Sequence, residues 1–340
     1  MKAHTAVLSI AHAAVDLACA ALFFGFLHSG DVWLNMVLYN AFAFLMQLPM
    51  GVIADRLNRN LLFAGIGCGL VALAYPLAGV PALSAVVAGI GNGAFHVGGG
   101  IEVLNRSRTK AGALGVFVSP GAVGLFLGRF YSAEFRSLPY LLPALLALIG
   151  LLIAFLPTEK RRFVTGNAEF DASVERGGIL PLAALFLVVV LRSFLGTTDA
   201  FSPGSALSAL PPLAAGLIPV LCLAFGKAAG GFVSDAIGIR LTSVLSLGLC
   251  ALALFFPFSP WVTLGALFLF NMTMPITLYA SAKLLKGAKG TAFGLLTAAL
   301  FIGCVPVFMG APLGLHPAVS GGLALVSLAL LLIGLKKEKA

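Results

Sequence analysis

Two pairs of polar residues stand four apart inside otherwise apolar stretches, His12 with Asp16 and Asn92 with His96. That spacing puts both members of a pair on one face of a helix. An imidazole beside a carboxylate can pass a proton, and imidazole is the side chain that titrates near neutral pH. Asp16 falls near the middle of its stretch, where lipid would make a charge costly unless it were functional or paired. Two readings follow. Asp16, His12 and His96 carry protons, or His12 and Asp16 form an internal pair that holds helices together and His96 is a satisfied buried imidazole. Gly98, Gly99 and Gly100 follow His96 and allow a bend or a close backbone approach.

The other isolated polar groups are cations and amides. Arg192 lies mid-stretch, too deep to reach water easily and unable to lose its charge. It requires a carboxylate, carbonyls or a bound anion, and the readings are a substrate anion or a structural pair with Asp16. Lys227 is either a second cation facing a cavity or a side chain reaching back to the inner surface. Asn40 and Gln47 share one helical stripe that continues to Gly51, a stripe that either lines a path or packs on a neighbour. Asn92 and Asn271, with Thr273 beside the latter, are further candidates for substrate contact. Asn35, next to Trp33, reads as a solvated amide at a membrane interface. Asp199 is a gate residue or a solvated cap, and Glu102 is expected to pair with Arg106 at the surface.

Several chemistries are set aside. No phosphate-cradling G-x-x-x-x-G-K-[ST] occurs, so the chain does not drive transport with ATP by itself. There is no H-E-x-x-H and no run of clustered Cys and His, so neither a metal nor any other cofactor is expected. Cys19, Cys68, Cys222, Cys250 and Cys304 are scattered through apolar segments and read as small buried hydrophobes. Ser9 and His12 are three apart, and nothing else supports catalysis; no enzyme is expected.

The elements that must carry these residues are membrane helices. Hydrophobic residues make up 60% of the chain and charged ones 10%, against about 25% charged in soluble domains. A span needs about 20 apolar residues. Twelve candidates lie near 5–27, 32–54, 61–79, 82–104, 111–131, 138–156, 179–200, 209–233, 238–257, 260–282, 290–310 and 316–335. The first stays as a helix rather than being a cleaved signal, since its neighbours are equally apolar. Residues 157–178 are the one long polar break. The expected organisation is therefore an all-α membrane protein with an N-terminal six-helix bundle at 1–156, a cytoplasmic linker at 157–178 and a C-terminal six-helix bundle at 179–340. With both termini cytoplasmic, every basic residue except Arg129, Arg136, Arg192 and Lys227 falls on the inner side. The net charge of +9 thus marks membrane orientation, not nucleic-acid binding. Trp33 and Trp261 sit at outer helix ends, as an aromatic belt requires.

The halves repeat. At an offset of 180 residues, Gly51-Val52-Ile53-Ala54-Asp55 meets Gly231-Phe232-Val233-Ser234-Asp235, and Arg192 overlays His12. Gly51-x-x-x-Asp55-Arg56-x-x-Arg59 resembles the signature of the major facilitator superfamily between its second and third helices, and Gly231-x-x-x-Asp235 resembles the degenerate second copy. The resemblance implies a gate formed by Gly51, Asp55, Arg56, Arg59 and Asp235, with Asp55 near the start of the eleventh helix around Thr291. There the positive end of the helix dipole favours a carboxylate. Gly115, Pro120 and Gly124 lie in a stretch that resembles the fifth-helix antiporter motif of drug-efflux members, with Ser119 and Val123 in place of two of its glycines. Gly91-Asn92-Gly93-Ala94-Phe95-His96 is similar to the fourth-helix region of fosmidomycin-resistance-type exporters.

The expected function is alternating-access secondary transport of a small organic anion or amphipathic metabolite, proton-coupled, by a monomer embedded in the lipid of the plasma membrane (the inner membrane in a bacterium). The alternatives are a proton-driven drug-efflux antiporter and a non-transporting sensor or lipid-moving scaffold. Substrate identity and direction do not follow from these residues.

Overall fold

The computed structural model describes residues 2–28, 30–107, 110–157, 172, 174, 177–285, 287–310 and 314–335. Most of the linker at 157–178, and the basic residues Arg108, Lys160, Arg161, Arg162, Arg176, Lys286, Lys336, Lys337 and Lys339, lie outside them. The described residues are built from helices: α1 (Lys2–Phe26), α2 (Val32–Phe44), α3 (Gln47–Leu57), α4 (Asn60–Ala74), α5 (Pro81–Ser107), α6 (Gly112–Val118), α7 (Pro120–Phe130), α8 (Ser132–Ser137), α9 (Leu141–Ala154), α10 (Ile179–Thr197), α11 (Pro212–Ile237), α12 (Ile239–Phe255), α13 (Pro260–Asn271), α14 (Thr273–Leu284), α15 (Lys289–Phe308) and α16 (Pro317–Gly334). Short 3₁₀ turns at Asp199–Phe201 and Gly204–Leu207 follow α10.

Among the described residues, eight helical stretches are long and apolar enough to cross a membrane. They are Ala3–Phe26, Val32–Leu57, Gly112–Phe130, Ile179–Thr197, Pro212–Ile237, Pro260–Leu284, Lys289–Phe308 and Pro317–Gly334. Three shorter apolar helices, α4, α9 and α12, join them. The 27-residue α5 ends on polar residues. Their outward faces are apolar. Leu141, Leu145, Leu148 and Leu152 form an exposed stripe on α9, and Leu241, Leu245, Leu249, Leu252 and Phe256 form one at α12. Such patches suit lipid and would drive aggregation in water. The chain is a multi-pass membrane protein.

Three of the expected spans are not single helices, and a proline stands shortly after each break. Pro49, Pro120 and Pro275 have no N–H for the carbonyls of Leu45, Val116 and Asn271 four residues earlier. The chain turns at Leu45–Met46 between α2 and α3, at Ser119 between α6 and α7, and at Met272 between α13 and α14. Pro219 and Pro306, by contrast, sit within the continuous helices α11 and α15. Pro81 and Pro260 each open a helix, where a missing N–H costs nothing.

The chain folds as two compact units. The first comprises Met1–Arg108, Pro120–Ala172 and Leu285–Ala298. In it α5 packs on α4 and α2, and α1 lies along α7. Its core includes Leu8, Val15, Leu22, Phe95 and Ile101, all at most 1% exposed. Small residues set the spacing. A Cβ on Gly124 would overlap the carbonyl oxygen of Ala13, and one on Gly128 that of Leu17, so α7 meets the backbone of α1 directly. The second unit comprises Thr109–Ser119, Ser173–Leu284 and Ala299–Ala340. In it α12 packs on α16, α10 on α16 and α11 on α6. Leu185, Val188, Leu195, Leu247, Leu254, Phe270, Ile276 and Leu331 fill its core.

Candidate functional site

In the first unit, α1 and α5 bring His12, Asp16, Asn92 and His96 together. Each helix contributes a pair four residues apart. The His96 Nδ1 lies 2.9 Å from the carbonyl oxygen of Asn92, one turn back on the same helix. A carbonyl can only accept, so this nitrogen carries a proton and donates it, which leaves Nε2 to face the cluster. That Nε2 is 2.8 Å from the Nε2 of His12. The His12 Nε2 is also 3.2 Å from Asp16 Oδ2, while His96 Nε2 is 3.9 Å from Asp16 Oδ1. Asn92 donates its amide N–H to Asp16 Oδ1 at 3.0 Å and lies 3.6 Å from the sulfur of Cys19. The imidazole rings of His12 and His96 meet edge to face, and Phe95 packs edge-on against His96. His12 and Asn92 are each 5% exposed, while His96 and Asp16 keep a small opening.

A third helix closes this cluster. The position after Pro120 is Gly121, and a Cβ there would overlap both His12 Nε2 and Asp16 Oδ2. The sequence reading took Gly115, Pro120 and Gly124 from this region and did not single out Gly121 or Gly128. Their spacing, small residues three and four apart on one face, is the signal that could have found them. Gly115 faces the second unit's α11, where a Cβ would stand 2.8 Å from the carbonyl oxygen of Lys227. A metal was set aside for want of clustered histidine and cysteine. That ground fails, because the fold gathers ligand atoms of His12, Asp16 and His96 within 4.8 Å of one another.

In the second unit, Arg192 is buried on α10 and donates from Nη1 to the Thr277 hydroxyl at 3.1 Å. Thr277 in turn donates to the carbonyl of Met274. Among the described residues of this unit, no carboxylate lies within ion-pair distance of Arg192. Lys227 is half-buried on α11. Asn271 is buried at the end of α13, where its amide donates to Leu267. Asp199 accepts from the backbone N–H of Leu315 at 3.2 Å.

Other polar positions of the first unit depart from expectation or resolve its alternatives. Asn35 is buried, with no partner for its amide nitrogen among the described residues, and is not a solvated interfacial group. Glu102 and Arg106 pair at 2.6 Å, but both are buried and not at the surface, as are all residues of α5 from Val97 to Ser107; Arg106 also reaches the Pro157 carbonyl. Asn40 donates to Met36 of its own helix. Gln47 is buried, donates to Ala43, and its oxygen has no partner among the described residues. Its stripe packs on a neighbour: a Cβ on Gly294 would overlap the Gln47 carbonyl oxygen, and one on Gly51 that of Gly290.

Two carboxylates act as caps on helix starts. Asp55, at the end of α3, accepts from the backbone N–H of Gly290 at 2.7 Å and of Thr291 at 2.8 Å, and from the Thr291 hydroxyl at 3.0 Å. These groups open α15. Asp235, near the end of α11, accepts from the backbone N–H of Ala111 at 2.7 Å and of Gly112 at 2.9 Å, at the start of α6. Each carboxylate thus meets unsatisfied amides at the positive end of a helix dipole. Arg56 and Arg59 are exposed. Nearby, Lys289 donates to Asn105 at 2.9 Å.

No protein-family model matches the chain, and no curated protein sequence does. Solved structures do. A single-site variant of the E. coli fucose:proton symporter FucP superposes with a TM-score of 0.65 at 12% identity, covering 97% of each chain. FucP in an outward conformation, described as a major facilitator superfamily transporter, superposes with a TM-score of 0.62 at 13% identity, again over 97% of each chain. The chain has the fold of the major facilitator superfamily transporters.

Proposed function

We propose that this protein is a secondary active transporter working by alternating access, which moves a small organic anion or amphipathic metabolite together with protons. The observation that carries the reading is the interlocked set of His12, Asp16, Asn92 and His96 inside the helices of a membrane protein, where ionisable groups are costly and usually functional. Arg192 supports it from the second unit as a permanent charge, buried, whose hydrogen-bond partner among the described residues is the Thr277 hydroxyl. An anion supplies the missing countercharge, and Asn271 and Lys227 are candidates to complete that contact. Asn40 and Asn92 would serve the substrate from the first unit. One of the solved structures of this fold is a fucose:proton symporter, which favours proton coupling over other modes.

In this reading twelve spans form two six-helix bundles, 1–156 and 179–340, joined by a cytoplasmic linker, with both termini cytoplasmic and the monomer as the working unit in the plasma membrane. Gly51, Asp55, Arg56, Arg59 and Asp235 form the cytoplasmic gate. The caps at Asp55 and Asp235 hold it shut, and release of the α15 and α6 helix starts opens it. Gly115, Pro120 and Gly124 let the fifth span bend and pack closely while it does so.

Purified protein in proteoliposomes tests the reading. A panel of small organic anions is offered with and without an imposed pH gradient. Uphill uptake that collapses when the gradient is removed is the expected result. Export driven by the opposite proton movement would mark a drug-efflux antiporter, and the absence of gradient-driven flux for any solute would favour a sensor.

A further inference from the structure

We infer that His12, Asp16 and His96 form a binding site for one divalent first-row transition-metal ion. The inference goes beyond the transport reading and does not rest on it. Its basis is donor type, geometry and space.

The donors are two imidazole nitrogens and a carboxylate, a set that suits Zn²⁺, Co²⁺ or Fe²⁺ and discriminates against Mg²⁺ and Ca²⁺, which take oxygen ligands. Metal bonds of about 2.0–2.2 Å place neighbouring ligand atoms roughly 2.8 to 3.6 Å apart, for angles between square and tetrahedral. The separations here are 2.8 Å between the two Nε2 atoms, 3.2 Å from His12 to Asp16 and 3.9 Å from His96 to Asp16. Small rotamer adjustments bring all three onto one ion.

The surroundings are those of a ligand set held in advance. His96 donates its other ring N–H to the Asn92 carbonyl, which fixes the tautomer whose Nε2 can ligate. Asn92 donates to the Asp16 oxygen that stands farther from His12, orienting the carboxylate. Gly121 keeps the approach to the His12 and Asp16 ligand atoms free of side chain. A Cβ at this place would overlap His12 Nε2 and Asp16 Oδ2 and would occupy space that an ion held between the three groups needs. When the ion enters, His12 gives up its Nε2 proton, to solvent where Nδ1 already carries one and to Nδ1 otherwise, so that two neutral imidazoles ligate through their Nε2 lone pairs.

Zinc titration of the full-length protein in detergent, followed by calorimetry after removal of any affinity tag, tests the site. One equivalent is expected to bind, and Mg²⁺ is expected not to compete. His12→Ala and His96→Ala should each weaken binding by about 100-fold, at least as much as loss of an outer-sphere partner does. Gly121→Ala, which leaves every ligand in the sequence, should weaken it strongly as well. Equal zinc affinity in the wild type and in His96→Ala, or no saturable binding by the wild type at millimolar zinc, would overturn the inference. Where a variant fails to stay monodisperse, the visible spectrum of the Co²⁺-loaded wild type decides. Bands of a low-symmetry site with nitrogen ligands support it, and the spectrum of hexaaquo Co²⁺ refutes it. Zinc binding and gradient-driven flux are read in separate assays, so absence of flux in the wild type leaves the zinc titration readable, and absence of zinc binding in the wild type overturns this inference and not the transport reading.

Discussion

Substitution of Asp55 by asparagine puts a number on the proposed gate. The carboxylate accepts three hydrogen bonds at 2.7, 2.8 and 3.0 Å, two of them from backbone amides at the head of α15. Each bond to a charged acceptor contributes about 1.5 kcal/mol or more. The dipole adds a few tenths to about 1 kcal/mol. Asparagine keeps one carbonyl oxygen but presents an NH₂ to donors, so one or two bonds are lost and the rest weaken. A net loss of about 3 kcal/mol follows, worth roughly 100-fold in a two-state equilibrium. Ala292, fully buried beside these amides, reports on it. With the five native cysteines replaced, Ala292→Cys should react with a maleimide about 100-fold faster when Asp55→Asn is added. Thr291→Val, which removes only the hydroxyl bond, should give a smaller rise of about tenfold. A labelling rate that changes less than threefold in Asp55→Asn would refute the idea that this cap holds anything shut.

Asp16→Asn should abolish transport driven by a pH gradient while leaving substrate exchange at equal pH; uphill flux at the wild-type rate would rule out its proton role. Arg192→Gln should raise the apparent Kd for a transported anion by about tenfold or more, since hydrogen bonds to a charged group contribute about 1.5–3 kcal/mol; an unchanged binding curve would make Arg192 a structural cation. Gly124→Ala should lower thermal stability by about 1–3 kcal/mol in a scanning fluorescence assay, the cost of overpacking where α7 touches the α1 backbone. Gly69→Ala, at a position open to the surroundings, is the matched control and should leave the melting curve in place.

Much of this architecture is legible in the residues, and the gaps have physical causes. Apolar runs separated by short polar turns announce membrane helices, because lipid allows no other use for them. The repeated Gly-x-x-x-Asp at Asp55 and Asp235 is legible because backbone capping needs a carboxylate at that one place. The pairs His12–Asp16 and Asn92–His96 are each visible through helical spacing. Their union is not, since it depends on which helices pack together, and in lipid that is decided by small residues such as Gly121, Gly124 and Gly128 more than by hydrophobicity. The breaks at Leu45–Met46, Ser119 and Met272 escape a hydropathy reading because the apolar run continues through them. Pro49, Pro120 and Pro275 mark them, yet Pro219 and Pro306 leave their helices continuous, so proline alone does not decide. Asn35 was misread for the opposite reason: a tryptophan neighbour says how deep a residue lies, not which way its side chain turns.

The cap formed by Asp235 reads only main chain at its receiving end. Ala111 offers an N–H that any residue but proline would offer, so the bond places no demand on the side chain at 111, whose burial is a matter of packing alone. A covariation search for the partner of Asp235 would therefore come back blank at 111. The carboxylate would look like a solitary invariant residue, its counterpart hidden in the peptide backbone that every sequence shares.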